Sequence, residues 1–350
     1  MRTYEDHTCN ILGLNVVGNH LISYDVENNI KVFDLKLRSK VTEVTVLQKA
    51  TITALVHPST YINKFIIGYS NGQLELWNFN KKKIVYTFAS HIAYLQKEMH
   101  KENNKDGKNT SRSLPSICCI EQSPACDVVA LGFNSGDILL LNLKLDCILF
   151  SFKHLEGGLV TSISFRTDVS SDRFPYMVTS SEAGRLHIWN LGGGGYGVGD
   201  NDDDSDEESS GAAGAAGRRL QSTLEDAHRS RISRVSFIHG EPIMVSASLD
   251  NSIKVWIFDS PDGSARLLKL REGHSGTPLR IRHYGGSTNV SMRDNADGLS
   301  CEMISAGGDN TLRLFNTAIE SQNRELSQKP ILKKLGLQRR NERLSECIGV

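Results

Sequence analysis

No stretch of the 350 residues approaches the roughly 18 consecutive apolar residues of a membrane-spanning helix, so none is predicted. The start, Met1-Arg-Thr-Tyr-Glu-Asp-His7, is polar and lacks the apolar segment of a secretory signal. Net charge is also absent, with 40 Lys and Arg against 40 Asp and Glu. The seven cysteines are an odd number, and no two stand as Cys-x-x-Cys. Adjacent Cys118 and Cys119 lie in a strand-like run and make a poor metal pair. Reduced, mostly buried thiols in an intracellular compartment are expected. There is no Gly-x-x-x-x-Gly-Lys-[Ser/Thr] loop and no His-Glu-x-x-His helix, so phosphate-loop and zincin chemistry have no support. The 39% hydrophobic and 23% charged composition excludes a wholly disordered or fibrous chain.

What is present is a repeat. A small-residue turn, alternating apolar residues, an aromatic or Leu, and usually Asn or Asp recur six times. The copies are Asn29-Ile-Lys-Val-Phe33-Asp34, Gly72-Gln-Leu-Glu-Leu-Trp77-Asn78, Gly136-Asp-Ile-Leu-Leu-Leu141-Asn142, Gly184-Arg-Leu-His-Ile-Trp189-Asn190, Ser252-Ile-Lys-Val-Trp256-Ile257 and Asn310-Thr-Leu-Arg-Leu-Phe315-Asn316. Alternation is the period of a half-buried strand, and copy three, apolar throughout, suits burial on both faces. Further apolar runs lie upstream, such as Lys64–Gly68 and Ile243–Ala247, then Thr51–Val56 and Ile232–Phe237. A fourth run often follows, as in Ile84–Phe88 and Ile148–Phe152. Four short strands per unit with tight turns predict an all-β chain, a WD-repeat β-propeller with six recognisable blades. Setting aside non-strand segments at 90–112, 192–226, 285–300 and 318–350 leaves about 40 residues per unit, the length of a WD-type blade. The propeller is therefore placed at 1–317 and a basic tail or linker at 318–350.

Copy five carries the fullest WD signature. His228 precedes a strand, Ser246 lies in the next, and Asp250 sits six residues before Trp256. Such a set can join a loop, a turn and two strands by hydrogen bonds worth roughly 1 kcal/mol each. Copy six has His274, Ser305 and Asp309, with Phe315 for Trp. Copies one to four hold Glu27, Asn71, Ser135 and Ala183 at the Asp position. Although copy five contains Ser, His and Asp, structural bonding is the expected role, since no motif supplies a cleft or an oxyanion site.

Three segments stand apart. Residues 200–208 hold seven acids between Gly- and Ala-rich flanks, and without them the chain carries +7. This insert reads as a solvated loop, or as an acidic arm for a basic partner. Segment 95–112 alternates Lys97, Lys101, Lys105, Lys108 and Arg112 with Glu98, Glu102 and Asp106. A solvated loop is expected, with a short charged helix or an RNA contact as alternatives. The tail holds Lys329, Lys333, Lys334, Arg339, Arg340 and Arg343. It reads as a basic helix reaching phosphate or an acidic neighbour, or as a linker.

Six strings carry a resemblance: His57-Pro-Ser-Thr-Tyr-Ile-Asn-Lys-Phe-Ile-Ile-Gly68, Ser123-Pro-Ala-Cys-Asp-Val-Val-Ala130, Ser164-Phe-Arg-Thr-Asp168, Asp250-Asn-Ser-Ile-Lys-Val-Trp-Ile-Phe-Asp259, Gly273-His-Ser275 and Arg324-Glu-Leu-Ser-Gln328. Over roughly residues 18–330 the chain resembles the tandem-propeller WD-repeat subunit of the small-subunit processome, the assembly around the U-three small nucleolar RNA. The resemblance implies a non-enzymatic scaffold in the nucleus and nucleolus that assists pre-rRNA processing and small-subunit assembly. It implies other WD-repeat propeller proteins as partners and indirect contact with the small nucleolar RNA and pre-rRNA. It implies no cofactor, metal, membrane or small-molecule substrate. It also implies further blades upstream and a second propeller downstream, so a fragment with an incomplete ring is expected. The alternative is a generic WD-repeat adaptor, such as a ubiquitin-ligase substrate receptor or a coat component.

Overall fold

The computed structural model describes residues 4, 6–46, 50–59, 61–106, 113–154, 156–167, 176–191, 220–260, 263–284, 302–316 and 324–326. These fall into two compact units, one within residues 1–163 and one within 164–191 and 220–326.

The first unit holds three antiparallel sheets of four strands. The first sheet is β1 (Ile11–Val17), β2 (His20–Asp25), β3 (Asn29–Asp34) and β4 (Lys40–Thr45), in chain order. The second is β5 (Ile52–Val56), β6 (Lys64–Tyr69), β7 (Leu74–Asn78) and β8 (Lys83–Thr87), and α1 (Ser90–Asp106) follows it. The third is β9 (Ile117–Gln122), β10 (Val128–Phe133), β11 (Asp137–Asn142) and β12 (Cys147–Lys153). In the second unit the fourth sheet is β13 (Val160–Phe165), within which the unit boundary falls, β14 (Tyr176–Ser181), β15 (Leu186–Asn190) and β16 (Leu220–Leu224). The fifth is β17 (Ile232–Phe237), β18 (Ile243–Ser248), β19 (Ile253–Ile257) and β20 (Arg266–Arg271). The sixth is β21 (Pro278–Tyr284), β22 (Glu302–Gly307), β23 (Leu312–Asn316) and β24 (Arg324–Leu326).

One backbone device recurs in all six sheets. Five residues before the aromatic or Leu stands a residue with positive φ: Asn28, Gly72, Gly136, Gly184, Asn251 and Asn310. Its N–H closes a turn onto the carbonyl three residues back, at 3.1–3.4 Å. Only Gly and Asn enter this left-handed region at low cost, so the turn between second and third strands is fixed by sequence. At Gly184 a Cβ would also lie 2.5 Å from the His228 carbonyl oxygen. In the first five sheets the pairing of third with fourth strand shifts register at the aromatic or Leu, a bulge that adds local twist.

Each core lies between consecutive sheets. Ile22, Ile30 and Val32 of the first meet Phe65, Ile67 and Trp77 of the second. Ile66, Leu74 and Leu76 of the second meet Val129, Leu131 and Leu141 of the third. In the second unit Val178, Leu186 and Ile188 meet Val235, Met244 and Trp256, and Val245, Ala247 and Val255 meet Ile281, Met303 and Phe315.

Three expectations are corrected. Segment 90–106 is a helix anchored in the core: His91 and Leu95 are buried, and His91 Nε2 donates to the Gly72 carbonyl at 2.9 Å. Asp146 caps its start, accepting the Ser90 hydroxyl at 2.7 Å and the Ala89 N–H at 3.1 Å. The insertion placed at 192–226 ends earlier, because Leu220–Leu224 pairs with β15 as an outer strand. The boundary at 317 cuts off Arg324–Leu326, which pairs with β23. Residues Ile11–Val17 pair with β2 and complete the first sheet. The acidic run at 200–208, the segment 285–300 and the basic residues 329–343 lie outside the described residues.

Candidate functional site

In the fifth sheet, His228 lies ahead of β17, Ser246 on β18, Asp250 in the turn and Trp256 on β19. His228 Nε2 is 2.7 Å from Ser246 Oγ, and Nδ1 is 3.1 Å from Asp250 Oδ2. Trp256 Nε1–H donates to Ser246 Oγ at 2.8 Å. Burial pushes the His228 ring down to about 4, against the pull of Asp250. Burial also pushes Asp250 up, but the Ser252 hydroxyl and N–H, His228 and the Arg229 N–H outweigh it and hold Asp250 at about 2. At neutral pH the ring is uncharged and the carboxylate ionised. A carboxylate only accepts, so Nδ1 carries the proton and Nε2 accepts from Ser246. The donors thus run one way, from Trp256 to Ser246, from Ser246 to His228, and from His228 to Asp250. Every polar atom in that chain has its partner, which a buried network requires.

The sixth sheet repeats part of this. His274 Nε2 is 2.6 Å from Ser305 Oγ, and Nδ1 is 3.0 Å from Asp309 Oδ2. Burial raises Asp309, but the Thr311 hydroxyl and N–H, His274 and the Ser275 N–H hold it well below the usual carboxylate range. Phe315 takes the Trp256 position and offers no N–H to Ser305.

The first sheet holds a third set, which reading by spacing passes over. His7 Nε2 is 2.6 Å from Ser23 Oγ, and Nδ1 is 2.8 Å from Asp25 Oδ2. Asp25 Oδ1 also accepts the N–H groups of Glu27 at 3.0 Å and Asn29 at 2.9 Å. Glu27 occupies the sequence position of Asp250, yet the carboxylate comes from two residues earlier. Lysines give a parallel: Lys254 Nζ donates to the Ala227 carbonyl at 2.5 Å, and Lys31 Nζ to the Asp6 carbonyl, each just ahead of its histidine. That pairing, with Ser23 in the Ser246 register, was the available signal.

The other sheets differ. In the second, buried Glu75 accepts from Tyr69 Oη at 2.7 Å and Trp77 Nε1 at 2.8 Å. In the fourth, Trp189 Nε1 donates to Thr179 Oγ1 at 2.9 Å. The third has Leu131 and Leu141 at the Ser246 and Trp256 positions. A string with the spacing of a nucleophile elbow, Gly68-Tyr-Ser-Asn-Gly72, is also present. It joins strand to strand, where the hydrolase elbow joins strand to helix, and its Ser70 Oγ accepts the Thr51 N–H at 3.2 Å. Ser246 itself is fully buried and held by Trp256, so the serine–histidine–aspartate set is closed to a substrate.

Four-stranded blades carrying this histidine–serine–aspartate–tryptophan set define a WD-repeat β-propeller protein. The chain belongs to the WDR36/Utp21 first beta-propeller family, whose model matches residues 1–259. It is 30% identical over 335 residues to human WD repeat-containing protein 36, covering 95% of this chain and 30% of that protein. It is 34% identical over 285 residues to the U3 small nucleolar RNA-associated protein 21 homolog of Schizosaccharomyces pombe, covering 81% of this chain and 25% of the relative. The U3 small nucleolar RNA-associated protein 21 of Saccharomyces cerevisiae is 25% identical over 343 residues. The chain spans no more than about a third of the length of these curated relatives.

Proposed function

We propose that this chain is a non-enzymatic scaffold of a nucleolar pre-ribosomal particle built around the U3 small nucleolar RNA, and that it assists pre-rRNA processing and small-subunit assembly. The carrying observation is similarity, along 81% and 91% of the chain, to proteins named for association with that RNA. The buried polar sets support the non-enzymatic part: their hydroxyls are spent on internal bonds. His228, Ser246, Asp250 and Trp256, and likewise His274, Ser305 and Asp309, serve to brace the turn of each blade against its strands. Its partners are other WD-repeat propeller proteins, and its contact with the RNA is indirect. A rigid blade presents loops at both ends and an outer edge, and a standard interface needs only about 800 Å² per partner.

The test is affinity purification of the tagged full-length protein, scored for U3 RNA and for other propeller proteins. Depletion should lower small-subunit rRNA and accumulate its uncleaved precursor while large-subunit rRNA stays near normal. Unchanged precursor processing, with the tagged protein outside the nucleolus, would overturn the reading.

A further inference from the structure

In the first unit the turns from third to fourth strand are built alike. Asp34 Oδ1 accepts the N–H groups of Lys36 and Leu37 at 2.7 Å each. Asn78 Oδ1 accepts that of Lys81 at 2.9 Å, and Asn142 Oδ1 those of Lys144 and Leu145 at 3.0 Å each. The residue that follows, Arg38, Lys82 or Asp146, has positive φ. Each turn is thus fixed by its own sequence. These turns are continuous with the loops between first and second strands. Leu35 N–H donates to the Asn19 carbonyl at 2.7 Å, Phe79 N–H to that of Asn63 at 3.1 Å and Leu143 N–H to that of Asp127 at 2.7 Å. Contacts between sheets extend the surface. The His20 and Phe79 ring centroids are 6.3 Å apart. Ser59 N–H donates to Gln122 Oε1 at 2.9 Å, and Gln122 Nε2 donates back to Ser59 Oγ at 3.0 Å.

This surface carries the three most exposed large apolar side chains among the described residues, one on each sheet of the unit: Leu37 at 77%, Ile62 at 79% and Leu145 at 69%. Around them Lys36, Arg38, Lys81, Lys82, Lys83 and Lys144 are exposed. Its carboxylates are half-buried and engaged inside the unit. Asp34 serves its own turn. Asp146 accepts from the Ser90 and Tyr86 hydroxyls at 2.7 and 2.9 Å, and Asp127 lies beside the Tyr61 hydroxyl. The exposed charge of these turns is therefore positive.

Apolar side chains raised on fixed turns and ringed by cations mark an interaction site. RNA would use the cations and leave Leu37, Ile62 and Leu145 in water. An uncharged apolar surface would bury the lysines without partners, at high cost. A helix whose apolar stripe is bordered by Asp and Glu satisfies both kinds of residue at once. We propose that this end of the first unit docks an acidic amphipathic helix of a partner protein. The inference rests on the scaffold reading above, to which it adds the chemistry of one partner.

Fluorescence anisotropy on the full-length protein tests this. The probe is a labelled helical peptide of about 18 residues, with Leu on one face and Glu on the other. It should bind, and more weakly as salt rises. Leu37→Glu, Ile62→Glu and Leu145→Glu combined should leave circular dichroism unchanged, since all three side chains are exposed, and weaken binding about tenfold or more. Lys81→Glu, Lys82→Glu and Lys144→Glu combined should weaken it comparably at low salt, and this variant decides the matter if the first misfolds. Absence of peptide binding overturns the proposal, whether the rest of the chain covers this end or nothing does. So does binding that either folded variant leaves unchanged, or equal binding of a peptide with Lys in place of Glu. A uridine oligomer that binds where the peptide does not makes this an RNA surface, and also overturns it. Failure of the peptide while U3 RNA still co-purifies sinks this inference and leaves the scaffold reading standing.

Discussion

The third and fifth sheets share strand order, the positive-φ residue five places before the aromatic or Leu, and the bulge beside it. Their interiors are opposites. In the third, β10 is buried along its whole length and places Leu131 where the fifth places Ser246. In the fifth, four polar side chains form a closed chain of donors and acceptors. The turn and the strand pairing therefore set the blade, and the polar set is a reinforcement that a blade can do without. The two means differ in character. Apolar burial is non-directional, worth roughly 1.5–3 kcal/mol per large side chain, and tolerant of similar shapes. A buried polar chain adds about 1 kcal/mol per bond but loses more when one partner is removed and the rest stay unpaired.

The largest effect should come from truncation at the shared position. Trp256→Ala removes a large ring from the core between the fourth and fifth sheets and leaves Ser246 short of a donor. A loss of about 3–5 kcal/mol is expected. Leu141→Ala in the third sheet should cost about 2–5 kcal/mol through the cavity alone. Urea unfolding followed by circular dichroism measures both, and a Trp256→Ala midpoint equal to wild type would refute the structural role of the ring.

Acid should separate the two sheets next. His228 is held at about 4 against an ordinary 6.5, so between those values the unfolded chain binds more protons than the folded one. Stability contributed by the neutral ring is complete above pH 6.5 and is lost as pH falls toward 4, by roughly 3 kcal/mol in all. Asp250, lowered from 3.8 to about 2, then loses its contribution as pH falls through that range. Burial also lowers His57, His91 and His283, so the wild type should weaken with acid by more than one group's share. The diagnostic is the difference between wild type and His228→Gln, which should narrow between pH 7 and 4.5. The increment of Leu141→Ala should stay flat over that range. Parallel curves for wild type and His228→Gln would remove the neutral histidine as the cause.

The unequal legibility of these sheets has physical reasons. The fifth was readable because all four residues of its set stand at WD spacing and Trp256 ends an alternating strand. The third was readable from its unbroken apolar runs and its Gly136 turn. The first sheet's network was not, because a carboxylate can reach the same histidine nitrogen from Asp25 or from the Glu27 position, and spacing sees only the latter. Outer strands β16 and β24 were missed because edge strands are short and polar, with little buried face to impose a period. Helix α1 escaped because only His91, Tyr94 and Leu95 of its first turns meet the core, too few for a clear 3.6-residue pattern.

That substitution of carboxylates can be broken directly. Asp25→Asn turns an acceptor of charge-assisted bonds from His7, Glu27 and Asn29 into a neutral amide that fits at most part of them. It should cost about 1–3 kcal/mol. Glu27→Gln, at the position WD spacing assigns to the aspartate, is exposed and should change stability by less than about 0.5 kcal/mol. Equal effects of the two in urea unfolding would mean that Asp25 does not carry the role.

The smallest effect sharpens the comparison between the fifth and sixth sheets. Trp256→Phe converts the fifth into the form the sixth already has, with a histidine, a serine and an aspartate but no indole N–H. Ser246 keeps its bond to His228 at 2.7 Å, just as Ser305 keeps its bond to His274 at 2.6 Å. What disappears is one donor to a hydroxyl oxygen that stays bonded, together with part of a ring. The loss should be about 1 kcal/mol, near the value of a single hydrogen bond and well short of the alanine variant. A cost matching Trp256→Ala would mean that the ring's volume does nothing without its N–H. No cost at all would mean that the hydrogen bond is idle. An intermediate midpoint in the same urea titration is the outcome that assigns the tryptophan mostly to packing and only in part to the polar chain.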